Sequence, residues 1–327
     1  MVLHHLSLCF YKRIAVQPEN WYISLLPVLL TIILVHRLSV DSRWILTLQS
    51  LSVIALAIST QSIHNLYASN GNTKLMRQLY HGMTIKRSDS AQNAEPPKVV
   101  LNLLSSTQIR RWACLLYGLV VIIAVGSQWS SISKKSHVAW TKRLQAAVLP
   151  CVLSAIVFYC AAMSKKVRWW TGFTEIAAAL LIGPFTMAAT SYFLIYKVPF
   201  IVGVYGCIVF MYTIAFELAQ SACDAPISEK LAKSNESLAK AMGFERTFRV
   251  CILFIASAMG LLFLSSLMCG YLTNFGLLFL MPKLKEITEA FRHEKLRDIP
   301  DNLARLTIIL GASLIVSIPL SHLLLPI

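Results

Sequence analysis

Long apolar runs separated by short polar stretches make up most of the chain. Nine of these runs approach the length that a helix needs to cross a bilayer, about 20 mainly apolar residues. The pattern therefore predicts an all-α, polytopic membrane bundle of nine transmembrane helices. The eighth run is interrupted by Pro282, Lys283 and Lys285. The runs are approximately residues 21–35, 44–63, 112–129, 145–163, 172–195, 199–220, 248–271, 272–291 and 306–325.

Two of the polar stretches between these runs are long enough to build a site. Loop 2–3 (residues 64–111) follows the second run, and loop 6–7 (residues 221–247) follows the sixth. Because both follow even-numbered spans, they lie on one face of the predicted bundle and would form two facing caps over a membrane cavity. We therefore predict a short N-terminal segment (residues 1–20) and a single membrane domain (residues 21–327) that carries both cap loops.

The composition favours the same class of protein. Hydrophobic residues make up 56% of the chain and charged residues 14%, with a mean hydropathy of +0.63, whereas about 25% of a soluble domain is charged. The net charge of +15 comes from Lys and Arg that concentrate on the cap face, which predicts a cytoplasmic or matrix-like side. Membrane lipids are the expected partners of such a face, and nucleic acid is not expected.

The N-terminal segment gives an indication of the membrane. Its first 18 residues contain Lys12 and Arg13 but no acidic residue, which is compatible with a mitochondrial address. We therefore expect a multi-pass integral protein of an organellar membrane, specifically the mitochondrial inner membrane.

The motifs of familiar metal sites and soluble enzymes are missing from the sequence. The eight cysteines are scattered singly, without a C-x-x-C pair or a His/Cys cluster at zinc spacing, and we interpret them as small buried hydrophobes. No Ser/His/Asp triad, P-loop or dinucleotide fingerprint is supported either. No metal site and no cofactor are predicted from these patterns.

Several segments, taken in order, carry a resemblance to a known family. They occur as WYISLLPVLL (residues 21–30), HNLYASNG (64–71), VVLNLLSSTQIRRWACLLYGL (99–119), EIAAALLIGPFTMAATSYF (175–193), ESLAKAMG (236–243) and IPDNLARLTIILG (299–311). This order and spacing resemble the UbiA superfamily of intramembrane prenyltransferases, most closely the branch that makes menaquinone-type quinones. The resemblance implies a nine-helix bundle with a lateral, lipid-accessible cavity beneath the two cap loops.

The resemblance also implies an aspartate-rich motif in each cap loop. Such carboxylates hold Mg²⁺, which neutralises the diphosphate that leaves when a prenyl diphosphate ionises. The first motif, N-x-x-x-D-x-x-x-x-x-D, places its Asn at His64 or Asn65 and its acids at Ala68 and near Lys74.

The second motif, D-x-x-x-D, is damaged in the same way. It places its acids at Pro226 and Lys230. Both motifs are therefore degenerate, and Mg²⁺ is expected only if the protein is active.

Three interpretations follow from the damaged motifs. The first is a catalytically inactive protein that binds a lipid, an isoprenoid quinone or a prenyl diphosphate, or serves as a subunit among other membrane proteins. The second is an active, divergent prenyltransferase of quinone biosynthesis that uses displaced acids such as Asp224, Glu229, Asp89 or Glu95. The third is a variant in which Lys74 and Lys230 replace the metal charge against a phosphate.

Further polar groups match family positions or lie at unusual places in the runs. Asn65, Tyr67 and Asn102, with Lys74 and Lys230, are candidates for binding a headgroup. Glu175 and Glu217 fall in or beside apolar runs, where an ionisable group is costly and therefore a functional candidate; with Asp224 and Glu229 they form the candidate polar cavity. Gly183-Pro184 predicts a kink in the fifth span, and the expected channel-lining aromatic residues are Tyr159, Phe185, Tyr192 and Tyr212.

Overall fold

The described parts of the chain are almost entirely helical. The computed structural model describes residues 22–38, 43–70, 106–130, 140–163, 173–230, 242–269, 281–292 and 299–324. The principal helices are α1 (Tyr22–Leu38), α2 (Arg43–Asn70), α3 (Ser106–Ser130), α4 (Trp140–Met163), α5 (Phe173–Leu180), a π-helical turn π1 (Leu181–Phe185), α6 (Thr186–Ile195), α7 (Phe200–Lys230), α8 (Phe244–Cys269), α9 (Met281–Arg292) and α10 (Ile299–Leu324).

Four helical segments in these parts are long and apolar enough to cross a bilayer. They are Arg110–Trp129, Ile176–Ile195, Phe200–Ala219 and Glu245–Met268. Shorter apolar segments lie in α1, α2 and α10. The all-α class and the membrane character predicted from the sequence are confirmed at this level, and the count of nine spans stays a prediction.

Helix α7 occupies the centre of the described bundle. It packs along α8 and also contacts α5, π1, α6, α10 and α1. The main hydrophobic core therefore forms around its buried side, where Tyr205 and Ile208 meet Leu30 of α1, Ile255 of α8 and Leu310 of α10. A second core joins α1, α2, α3 and α6.

The π-helical turn lies where Gly183 and Pro184 interrupt the fifth run. Proline cannot donate a backbone hydrogen bond inside a helix, and such breaks are accommodated by a widened turn. The Thr186 hydroxyl donates to the carbonyl oxygen of Leu181, across the length of the turn. The sequence predicted a kink at this place, and the structure has a π turn there.

Two helices extend into the predicted cap loops. Helix α2 continues to Asn70 and α7 continues to Lys230, whereas the sequence pattern ended their spans at residues 63 and 220. The start of each loop is therefore helical, because polar residues that end an apolar run do not by themselves end a helix. Pro226 lies within the range of α7, although proline usually interrupts a helix.

The eighth predicted run differs from an apolar span where it is described. Helix α9 is short and carries exposed charged side chains, with ion pairs from Lys283 to Glu286 and from Lys285 to Glu289. Its buried Ile287 joins the main core beside Leu303 of α10. This part of the run is an amphipathic helix packed on α10, and residues 272–280 lie outside the described set.

Candidate functional site

A first cavity lies between α1, α7 and α10. It encloses about 640 Å³, including the part that is open to the outside. Leu26, Pro27 and Leu30 line it from α1, and Thr307, Leu310 and Leu314 line it from α10. The remaining wall belongs to α7, with Tyr205, Ile208, Val209, Tyr212, Thr213 and Phe216.

The wall of this cavity is almost wholly apolar because its threonines are satisfied by their own helices. The Thr213 hydroxyl donates to the carbonyl oxygen of Val209 at 2.8 Å. The Thr307 hydroxyl donates to the carbonyl oxygen of Leu303, also at 2.8 Å. No charged residue is among the described side chains that line the cavity. The cavity therefore suits an uncharged hydrocarbon chain better than a polar group.

A second cavity, of about 580 Å³ including the part that is open to the outside, lies on the other side of α1. Its wall comes from α1, α2, α4, π1 and α6, and includes Leu181, the first residue of the π turn, and Thr186, the residue that follows the turn. Pro150, inside α4, also lines it. The π turn and the helical proline thus border the space between these helices.

The second cavity has more hydroxyl groups than the first. Thr60 of α2 and Ser154 of α4 form a hydrogen bond across it, with 2.8 Å between their oxygens. Ser24 of α1 lines the same cavity and donates to the amide oxygen of Gln61. Thr190 of α6 is also in the wall. Uncharged polar groups are therefore present inside an otherwise apolar site.

Of the four positions predicted for the motif acids, Ala68 lies on the last turns of α2, and Pro226 and Lys230 lie on the last turns of α7. Asn65, Tyr67 and Ala68 follow the cavity residue Thr60 along α2, so that Ala68 is about 12 Å further along the axis at 1.5 Å per residue. Asp224, Pro226, Glu229 and Lys230 similarly follow the cavity residue Phe216 along α7. The second predicted motif and the start of the first thus continue helices that line the cavities.

The side chains at the motif positions lie outside the part of the chain that the structure describes. The structure gives helical backbone but no side-chain placement for Asn65, Tyr67, Ala68, Glu175, Asp224, Pro226, Glu229 and Lys230, and it leaves out Lys74, Asp89, Glu95 and Asn102 altogether. Among the described side chains there is no group of three or more His, Cys, Asp and Glu residues that could hold a metal ion. The predicted headgroup and polar-cavity sites stay predictions.

The remaining candidate residues within the predicted spans, Glu217 and the aromatic residues, lie in different environments. Glu217 is half-buried on α7 next to Phe216 of the first cavity. Of the aromatic residues expected to line a channel, Tyr212 lines the first cavity, whereas Phe185 is 51% exposed. Tyr192 donates instead to the amide oxygen of Gln145 at 2.8 Å. The placement of the Tyr159 side chain lies outside the described set.

A buried polar cluster at the opposite end of the bundle was missed by the sequence analysis. Tyr196, which connects α6 and α7, donates to the amide oxygen of Gln128 at 2.8 Å. The Gln128 amide donates to the carbonyl oxygen of Phe193 at 3.1 Å. Gln49 and Arg143 complete the cluster and are also buried. Isolated glutamines near the ends of apolar runs were the only available signal.

The electrostatics of this cluster are centred on the Tyr196 phenol. Burial raises its pKa above the ordinary value, and the positive charge of Arg143 and a hydrogen bond with Gln49 counteract part of that rise. The phenol therefore stays protonated and can act as a hydrogen-bond donor at neutral pH. The cluster joins α2, α3, α4 and α6 at the end where the chain turns from α6 into α7.

Comparisons with known proteins do not assign a family. No protein-family model matches the chain, and no curated protein matches it.

Proposed function

We propose that this chain is a UbiA-like, nine-span bundle that holds an isoprenoid lipid and does not transfer its prenyl chain. The lipid would be a quinone or a related compound with a long prenyl tail, and the membrane would be the mitochondrial inner membrane. The observation that carries the proposal is the apolar cavity between α1, α7 and α10, which lies on the helix that also carries the damaged second motif.

The cavity wall supports a hydrocarbon ligand. Burying an apolar tail is favourable by roughly 25 cal/mol for each Å² removed from water. Because Thr213 and Thr307 donate to their own helices, their hydroxyls place little demand on the ligand. A branched isoprenoid tail could therefore occupy the cavity without leaving buried polar groups unsatisfied.

The residues at the motif positions support the absence of prenyl transfer. Magnesium prefers oxygen ligands, and carboxylates are its usual side-chain ligands in phosphate sites. Ala68 and Lys74 stand at the positions of the first pair of acids, and Pro226 and Lys230 stand at those of the second. None of these four side chains is a carboxylate, so a site that stabilises a leaving diphosphate would lack its expected ligands at both motifs.

The proposal is tested by filling the first cavity. Val209 lines the cavity, and Cys207 is exposed on the same helix. Purified Val209→Phe protein should retain about tenfold less isoprenoid lipid than the unmodified protein, since overpacking costs on the order of 1–3 kcal/mol. Cys207→Phe is the matched control and should retain the full amount. Lipid extraction followed by mass spectrometry measures the ratio of lipid to protein.

The outcome separates binding from folding. Both variants should elute as a single species in detergent, and their thermal unfolding midpoints should be similar. If unmodified protein retains no isoprenoid lipid after purification from a quinone-containing membrane, the proposal is wrong. Equal retention by Val209→Phe and Cys207→Phe would also contradict it, because the bound lipid would then lie elsewhere.

A further inference from the structure

The second cavity has the features of a separate ligand site. It lies between α1, α2, α4 and α6 and has no residue in common with the first cavity. Its most distinctive contact joins Thr60 and Ser154, which are 94 positions apart in the sequence, through oxygens 2.8 Å apart. Two helices thus bring a pair of hydroxyl groups together in a largely apolar wall.

One of the two O–H donors of the Thr60–Ser154 pair is not used by the hydrogen bond between them. Two hydroxyls contain two O–H donors, and one hydrogen bond between them uses only one of these. Whichever of Thr60 and Ser154 donates to the other, the second O–H can turn toward the cavity that both residues line. A ligand oxygen that accepts a hydrogen bond from this second O–H would satisfy the donor inside a largely apolar cavity.

The charge of the wall limits the ligand class. Among the described residues that line this cavity there is no Lys, Arg, His, Asp or Glu. An anionic headgroup buried here would lack a counter-charge, and burying an unpaired charge is strongly unfavourable. Val28, Leu56 and Phe193 provide apolar wall around the hydroxyls, so the body of the ligand should be apolar as well.

We propose that the second cavity binds an uncharged lipid through a carbonyl oxygen that accepts a hydrogen bond from the Thr60–Ser154 pair. The shared chemistry is a carbonyl on an apolar body. Such a carbonyl occurs in the ester of a neutral glycerolipid and in the ring of a quinone. This site is independent of the tail site in the first cavity, since different helices and residues form it.

The test compares two lipids that differ only in the carbonyl group. Full-length protein is placed in nanodiscs of ether-linked phospholipids, so that the surrounding bilayer contributes no ester carbonyls. A photoreactive dioleoylglycerol and its dioleyl ether analogue are then crosslinked at equal, subsaturating concentrations. The ester lipid should label α2 or α4 about three- to tenfold more than the ether lipid, as expected from one buried hydrogen bond. Equal labelling would overturn the proposal without the need for any variant.

A double variant then assigns the preference to the hydroxyl pair. Thr60→Val with Ser154→Ala removes both hydroxyls and should abolish the ester preference. The matched control is Thr31→Val with Ser62→Ala, whose hydroxyls donate to the carbonyl oxygens of Pro27 and Ile58 on their own helices. The control should keep the preference. An ester preference that survives in the Thr60/Ser154 variant would overturn the proposal.

Competition identifies the natural source of the carbonyl. Unlabelled dioleoylglycerol and an unlabelled naphthoquinone with a prenyl tail are added separately, and either compound that suppresses labelling at the lower concentration identifies its class. Both results support the proposal, whereas competition by neither compound overturns it. Val209→Phe, which fills the first cavity, should leave the ester preference intact, so failure of one site is distinguished from failure of the other.

Discussion

Gly183 of the π turn and Gly206 of α7 face each other at close range. A Cβ atom on Gly183 would lie 3.0 Å from the carbonyl oxygen of Gly206 and 2.8 Å from the backbone nitrogen of Phe210. A Cβ atom on Gly206 would in turn lie 2.9 Å from the Cα atom of Pro184. These neighbours are backbone atoms, which cannot move aside as a flexible side chain can. The crossing of π1 and α7 therefore requires glycine on both sides.

Replacing Gly183 with alanine should destabilise the bundle. The added methyl group would push π1 away from α7, and overpacking of this kind costs about 1–3 kcal/mol. The measurement is the thermal unfolding midpoint in detergent. Gly118→Ala on α3 is the matched control, since a Cβ atom there meets no other atom within 4 Å. A Gly183→Ala protein as stable as the control would show that the two helices do not cross as closely as described.

A third glycine, Gly311, lies against a side chain that lines the first cavity. A Cβ atom on Gly311 of α10 would lie 1.9 Å from the Cδ1 atom of Leu26, a residue that lines the cavity. We expect Gly311→Ala to move the Leu26 side chain into the cavity and to weaken retention of the isoprenoid lipid about threefold or more, with a smaller loss of stability. Gly260→Ala, where the added atom meets open space, should retain the lipid fully.

The buried polar cluster should contribute to stability through Tyr196. Tyr196→Phe removes the hydrogen bond to Gln128 and leaves the buried amide oxygen without that donor. The expected loss of unfolding free energy is about 1–3 kcal/mol. Tyr192→Phe is the control, because its hydroxyl bonds Gln145 in an exposed position. Chemical unfolding in mixed micelles measures the difference, and equal stability of the two variants would contradict the role of the cluster.

The same residue should make stability depend on alkaline pH. Burial raises the pKa of the Tyr196 phenol, so the folded protein keeps this proton at a pH where the unfolded chain has lost it. The resulting stabilisation is fully present below about pH 10, the ordinary tyrosine pKa, and is lost as the pH rises toward the folded pKa. The stability difference between the unmodified protein and Tyr196→Phe should therefore shrink above pH 10. A constant difference between pH 8 and pH 11 would contradict the raised pKa.

The sequence predicted the helical class and the positions of most helices because long apolar runs have few alternatives in a membrane. The ends of the helices were predicted less well than their positions. The continuous apolar runs end at Ile63 and Gln220, and yet α2 and α7 continue through mixed polar and apolar residues to Asn70 and Lys230. The hydrophobic pattern indicates which residues contact lipid or the protein core. It does not define where a helix ends, because a helix can keep its backbone hydrogen bonds beyond the apolar run.

The sites were harder to predict than the helices. Neither the Thr60–Ser154 pair nor the cluster of Gln128, Arg143 and Tyr196 is visible in a linear pattern, since each forms between residues that are far apart along the chain. The glycine–proline pair at residues 183 and 184 was an exception. Its backbone chemistry predicted a kink from the local sequence alone, and the structure has a π turn at the same residues.

The displaced acids offer a test of the competing active enzyme. If Asp224 and Glu229 hold Mg²⁺, then Asp224→Ala with Glu229→Ala should abolish any prenylated product. We expect the double variant to behave like the unmodified protein in both lipid retention and product formation. Liquid chromatography with mass spectrometry measures both quantities in one sample. A product that disappears in this variant would assign the two acids to catalysis.

The most direct test of the central proposal is a prenyl-transfer assay on the purified protein. The protein is incubated with labelled geranylgeranyl diphosphate, an aromatic acceptor such as a hydroxynaphthoic acid, and Mg²⁺, with parallel samples containing EDTA. We predict no labelled aromatic product above the protein-free background, with or without EDTA, in protein that still retains its isoprenoid lipid. An EDTA-sensitive product that increases with protein concentration would contradict the proposal and establish the chain as an active prenyltransferase.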